Sequence, residues 1–443
     1  MFTPSFRFAL VPRCFLVLAL AILFPTLCRA QLVVDCTGAT PGAFSSINAA
    51  LPSASAGTAI FVVAGPCNES LQLAGWTDLF IGTYDGFPHV ALNGSIDVVE
   101  SHGVYFHGLD VSTGTSGSGN GISVSQSQAL VIQDCTSNSN AGFGLSLSGA
   151  SEALIVTPAS FDNNNSGGIA LSENSTIETS GWNGQPLDMS NNRGPGLYVS
   201  FGSFNTYGRT TITNNVFGQN SLSGYGVDMR GGSRAQFGAL SGSNLITGNQ
   251  SGGVSLQEGA EISFWNGGWP SYIQNNGPVG ITAGFHSQVT LFNDVEISGH
   301  TGPAVDLYAS SQAYLFGANN LHNNGTAGDP RSAGILVDGN SEVFLRGGTI
   351  AQTAGPGILA LVNSSVDLTG VSFSSNTGGI VECDSSAYMV SDLLKGTAPV
   401  PGVGCRTPHL LGNHAVNKLL PAVPDWSGPK ALVAKAMARA TKH

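Results

Sequence analysis

Asp294 and Glu296 stand two residues apart with Val295 between them and Ile297 after, and His300 follows four residues on. Alternate side chains of an extended strand share a face, so the two carboxylates point the same way. The next stretch adds Asn320 and His322. Close carboxylates share a proton or hold Ca²⁺, and a histidine moves a proton. Asp294, Glu296 and His300 are therefore the candidate acid/base group, with Ca²⁺ as the one cofactor their chemistry suggests. Glu152 and Glu178 form a second acidic pair, of the kind that serves glycoside hydrolysis or calcium binding. Aromatic residues supply the binding candidates: Trp182, and the group Trp265, Trp269 and Tyr272. Rings with an apolar body and a polar rim stack well on sugars. A solvated outer face accounts for the same carboxylates, and rings packed on their own loops account for the same aromatics.

What positions these residues is a repeat. A small residue returns eleven times from Gly121 to Gly379, glycine everywhere except Ala304, at intervals of 22 to 30 residues. An aliphatic residue follows each mark, from Ile122 and Leu145 to Ile358 and Ile380, and further apolar residues recur three, nine and eleven places on. This spacing predicts two short strands of period two in each coil. Serine occupies the seventh place in nine of the eleven coils, from Ser151 through Ser203 to Ser386, as suits a tight stacked corner. Ahead of the marks runs a line of Asn163, Asn192, Asn249, Asn276, Asn324 and Asn376, with His300 and Thr353 substituting; asparagine tolerates left-handed turns and hydrogen-bonds local backbone. Short strands, a constant inward face and no long helical pattern predict an all-β solenoid.

The repeat resembles the right-handed parallel β-helix of the pectate-lyase-like superfamily, with three strands per coil, aliphatic stacks and asparagine ladders. The opening segment agrees: Phe44-Ser-Ser-Ile47-Asn-Ala-Ala-Leu51, Thr58 to Val63, Asn68-Glu-Ser-Leu71 and Leu79 to Gly82 resemble the capping helix and first strands that open such solenoids. The resemblance covers residues 32–394 and implies a β-helix with an N-terminal capping helix. It does not carry an active site across. The arginine-rich motif of pectate lyases is missing, the partner aspartates of polygalacturonases are missing around Ser298-Gly299-His300-Thr301-Gly302, and the motifs of pectin methylesterases do not occur.

The ends and the charge limit the function. Residues 1–30 carry Arg7, Arg13, an apolar run from Phe15 to Phe24 and Cys28-Arg29-Ala30, which reads as a secretory signal peptide; its apolar stretch is too short to favour a spanning helix. Five cysteines remain beyond it. Cys36 and Cys67 flank the cap and Cys383 and Cys405 flank the exit from the last coil, so one disulfide at each end is expected, which export permits, while Cys135 reads as buried filler. Without the first 30 residues the net charge is −14, and no lysine occurs between Gln31 and Leu394. Nucleic acid, which demands a basic track, is excluded as a partner. Residues 395–443, rich in proline and lysine, read as a C-terminal cap or tail with a short helix at 429–442. The expected function is an exported, secreted or cell-envelope protein that binds polysaccharide or serves as a scaffold. A polysaccharide lyase or hydrolase is the alternative, and protein adhesion a third reading. Acidity disfavours polyuronates unless Ca²⁺ bridges them.

Overall fold

The computed structural model describes residues 30–116, 119–181, 184–218, 223–391 and Cys405. The expected signal segment, Trp182 and the C-terminal stretch other than Cys405 lie outside the described residues. Each coil contributes strands to three faces. The first sheet has thirteen strands in sequence order, from Leu71–Ala74 to Val381–Cys383. The second and third sheets form one continuous hydrogen-bonded system because strands Leu130–Ser137 and Glu152–Ser160 run through the corner without a break. All pairings are parallel, each strand bonding to its equivalent one coil away, for example Ile169 with Leu197 and Leu197 with Val227.

Thirteen first-sheet strands exceed the eleven marks by two. The strands Leu71–Ala74 and Ile96–Val99 precede Gly121 and carry the same alternation without the glycine. At the N-terminus the capping helix is short: Ile47–Ala50, with Ser46 accepting from the Ala49 amide. Glu69, from the Asn-Glu-Ser-Leu run, accepts from the amides of Ile47 and Asn48 at 2.7 and 2.9 Å and so satisfies free donors of the first turn. Disulfides Cys36–Cys67 and Cys383–Cys405 form as expected, and Cys135 is free and buried.

Inside, aliphatic stacks from every coil merge into one core. Two polar ladders line its corners. In the serine ladder the Ser127 amide donates to Ser151 Oγ and the Ser151 amide to Ser175 Oγ, each at 3.2 Å. In the asparagine ladder the Asn164, Asn192, Asn215 and Asn249 amides each donate to the Oδ1 one coil on, at 2.9 to 3.1 Å. Three expectations need correction by one residue. Asn164, not Asn163, is the ladder residue; Asn163 takes the left-handed turn at φ 59°. Gly202 fills the corner expected for Ser203, which instead pairs in the second sheet with Thr176 and Arg234. In the last coil Val381, not Ile380, aligns with Ile358, and Ala387 is the fully buried corner residue where Ser386 was expected. A slip of one residue exchanges the inward and outward faces, so each correction moves a side chain between core and solvent.

Candidate functional site

The outward face of the second sheet carries a row of aromatic rings. Trp265, Phe292 and Phe316 align in register on successive coils, and Tyr314 aligns with Phe344 beside them. Ring centroids lie 5.4 Å apart for Phe292 and Phe316 and 5.0 Å for Tyr314 and Phe344, with planes within 20° and 6° of parallel. That separation follows the strand spacing and exceeds the roughly 3.5–4 Å of carbon contact, so the paired rings are offset as they stack. All five are half-buried. Arg346 closes the row, donating two hydrogen bonds to Asp367 at 2.9 and 2.7 Å. Gln312 ties the row laterally, accepting from the Tyr314 hydroxyl at 2.9 Å and donating to Glu342 at 3.2 Å.

The three described aromatic candidates separate. Trp265 belongs to the row, Trp269 stands exposed in the turn between strands Glu261–Asn266 and Ser271–Gln274, and Tyr272 faces out of the third sheet beside Glu296. Phe292, Phe316, Tyr314 and Phe344 were missed, although the spacing of 24 residues between Phe292 and Phe316 matches a coil length and could have flagged them.

The acid/base candidates are also divided. Glu296 faces out of the third sheet, accepting from Gln274 at 2.6 Å and Ser298 at 3.3 Å, with His322 Nε2 at 3.2 Å. Asp294 lies on the exposed turn before the strand, with φ 51°. His300 does not join them. It is buried in the asparagine-ladder position with ring nitrogens 3.2 Å from the Asn276 carbonyl and 3.0 Å from that of Ile273, and burial lowers its pKa. The histidine that meets Glu296 is His322, one coil later.

On the second sheet Glu178 sits one coil after Glu152, in register with Leu154. Burial and then Glu152 raise its pKa.

A further cluster lies in coils that precede or straddle the first glycine mark. His89 bridges two aspartates, with Nδ1 2.8 Å from Asp110 and Nε2 3.3 Å from Asp134. Burial lowers its pKa, but the two carboxylates outweigh that effect and hold it above the usual histidine value. His107 pairs with Asp85 at 3.2 Å. Because the partners come from different coils, no local pattern signals this cluster.

Among the described residues no helix is long and apolar enough to cross a membrane. No curated protein matches the chain. Of solved structures, the A-module of mannuronan C-5 epimerase AlgE4 from Azotobacter vinelandii is 14% identical with a TM-score of 0.42, over 81% of this chain and 93% of that one. The AlgE6 A-module of the same organism is 14% identical at a TM-score of 0.38, over 78% and 93%. A lacto-N-biosidase from Eubacterium ramulus is 7% identical at 0.23, over 81% and 67%. The family model described as right handed beta helix region matches residues 108–267 and 262–397, most of the coils described above. The chain therefore belongs to the right-handed β-helix family.

Proposed function

We propose that this chain is an exported protein that binds an extended polysaccharide along the outer face of its second sheet, across Trp265, Phe292, Phe316, Tyr314 and Phe344. One observation carries the reading: five half-buried rings repeat at the strand spacing on a face that points away from the core. A strand's solvent face is ordinarily polar, and an apolar row rimmed by polar groups marks a contact surface. From Trp265 to Phe344 the row spans three strand spacings, roughly 14 Å, enough for several sugar units laid along the solenoid axis. The absence of lysine between Gln31 and Leu394 and the acidic net charge favour a neutral glycan. The two disulfides support an oxidising, exported setting.

A second reading is favoured by one contact, the 3.2 Å approach of His322 to Glu296: a lyase or hydrolase in which Glu296 and His322 handle the proton.

The test is titration of residues 31–443 with soluble neutral glycans, alongside product analysis by mass spectrometry. Phe316→Ala should weaken binding about five- to tenfold, from roughly 1–1.4 kcal/mol of lost stacking, while Arg234→Ala, away from the row, leaves it unchanged. Equal affinity of Phe316→Ala and the parent chain would remove the proposal. Shortened or unsaturated products that disappear in Glu296→Gln would promote the enzymatic reading.

A further inference from the structure

The outward line of the first sheet is buried where a solenoid face should be wet. Tyr198, Asp228, Ser255, Thr282 and Asp306 align in register on five successive coils. Asp228, Ser255 and Thr282 are only 1%, 5% and 8% exposed. Two tyrosines explain part of the cover. Tyr225 lies against Gly252 on one side of the line, where an added Cβ would come within 2.5 Å of its ring, and Tyr308 lies against Gly284 on the other side, where an added Cβ would come within 2.2 Å. Glycine at these two places lets both rings lie down along the sheet. Tyr308 is held there by Gln257, which donates to its hydroxyl at 2.7 Å.

Ser255 and Thr282 lie in the middle of this line, with a carboxylate at each end. Asp228 is fully partnered, accepting from Ser223 at 2.8 Å and from Arg230 at 3.0 and 3.3 Å. Asp306 is not. Its Oδ1 is enclosed without a hydrogen bond, and the Arg331 guanidinium stands off at 3.9 Å. Among the described residues no side-chain hydrogen bond reaches Ser255 Oγ or Thr282 Oγ1 either, and neither oxygen is sealed from solvent. Burial, followed by Asp228, Tyr308 and Asp306, pushes the Tyr225 phenol up to about 12. Buried polar groups are nearly always partnered, and unspent ones are costly. Asp306 Oδ1 is such a group, and the Ser255 and Thr282 hydroxyls in line with it, open to solvent, suit a ligand rich in hydroxyls.

We propose that this polar line is a second saccharide site, separate from the aromatic row, and that it takes a short neutral sugar whose hydroxyls bond Ser255, Thr282 and Asp306 between Tyr225 and Tyr308. The carboxylates at both ends exclude uronates by like-charge repulsion. A few polar groups flanked by aromatic rings match the usual make-up of small-ligand sites.

The experiment is saturation-transfer NMR on residues 31–443 with methyl β-glucoside, methyl β-galactoside and N-acetylglucosamine, and with glucuronate as the acidic comparison. At least one neutral sugar should receive saturation and glucuronate should not. Ser255→Ala and Thr282→Val, which keep the backbone and nearly the volume, should each weaken binding about five- to tenfold. Phe316→Ala should leave it intact, which separates this site from the row. Thermal melting of each variant establishes folding; if one melts early, Asp306→Asn, equal in shape, takes its place. The proposal is overturned if no neutral sugar receives saturation, if folded variants bind like the parent chain, if glucuronate binds best, or if Phe316→Ala abolishes the signal.

Discussion

Asp162→Asn should stabilise this protein at neutral pH and flatten its pH dependence. Asp162 lies on the outer face of the third sheet, where its Oδ1 accepts from the Ser190 amide at 2.6 Å and its Oδ2 from Ser160 Oγ at 2.8 Å. Burial, with Asp188 adding to it, raises its carboxyl from 3.8 to about 6. The folded state therefore holds this proton more tightly than the unfolded chain. Its contribution to stability is fully present below the unfolded pKa and is lost as pH rises through the folded one. A shift of that size at about 1.4 kcal/mol per unit corresponds to about 3 kcal/mol lost between roughly pH 4 and pH 6. Asparagine carries no charge, keeps an acceptor for the Ser190 amide, and can donate to Ser160 Oγ, whose own proton has Asn138 Oδ1 as an alternative acceptor at 3.2 Å. Urea unfolding of both chains at about pH 4 and about pH 8 should show the variant ahead by about 2–3 kcal/mol at the higher pH and nearly level at the lower. A variant less stable than the parent at the higher pH, or an identical pH slope in the two chains, would refute the reasoning.

Two other experiments probe the interior. His300→Asn restores the ladder residue and should leave glycan binding and any product formation unchanged, whereas loss of activity in a folded variant would return His300 to the acid/base group. Because burial depresses the His300 pKa, its share of stability is present above the unfolded value, about 6.5, and lost as pH falls through the folded one; His300→Asn should remove that acid loss, as urea midpoints across the window would show. Cys135 is buried, and burial pushes its thiol up to about 12, so maleimide should label it in denaturant and not in the native chain. Rapid native labelling would show that the coil around it opens.

Much of the fold was legible because a parallel solenoid repeats its local pattern in every coil. The aliphatic residue after each small mark must face inward to bury its surface, and thirteen such strands stack into one core. The cysteine pairs at the two ends were readable from their positions beside the cap and the exit. Where the marks slipped, as at Ser203 and in the last coil, the cause was a coil of different length, which leaves composition unchanged while exchanging faces.

The candidate sites were less legible. Glu296 was recognisable as an outward carboxylate from Val295 and Ile297 on either side of it, but the sequence paired it with His300, and the structure turns that ring inward and offers His322 from the next coil. The Gln257 to Tyr308 bond spans 51 residues, and His89 bridges aspartates on two later coils. Sequence alone determined the period, the inward face, the acidic surface and the disulfide ends, because each is a local or compositional property. Which outward side chains of different coils meet was decided by tertiary structure, since turn lengths that vary from coil to coil set the stacking register, and pairs such as Glu296 with His322 or Phe292 with Phe316 form only across coils.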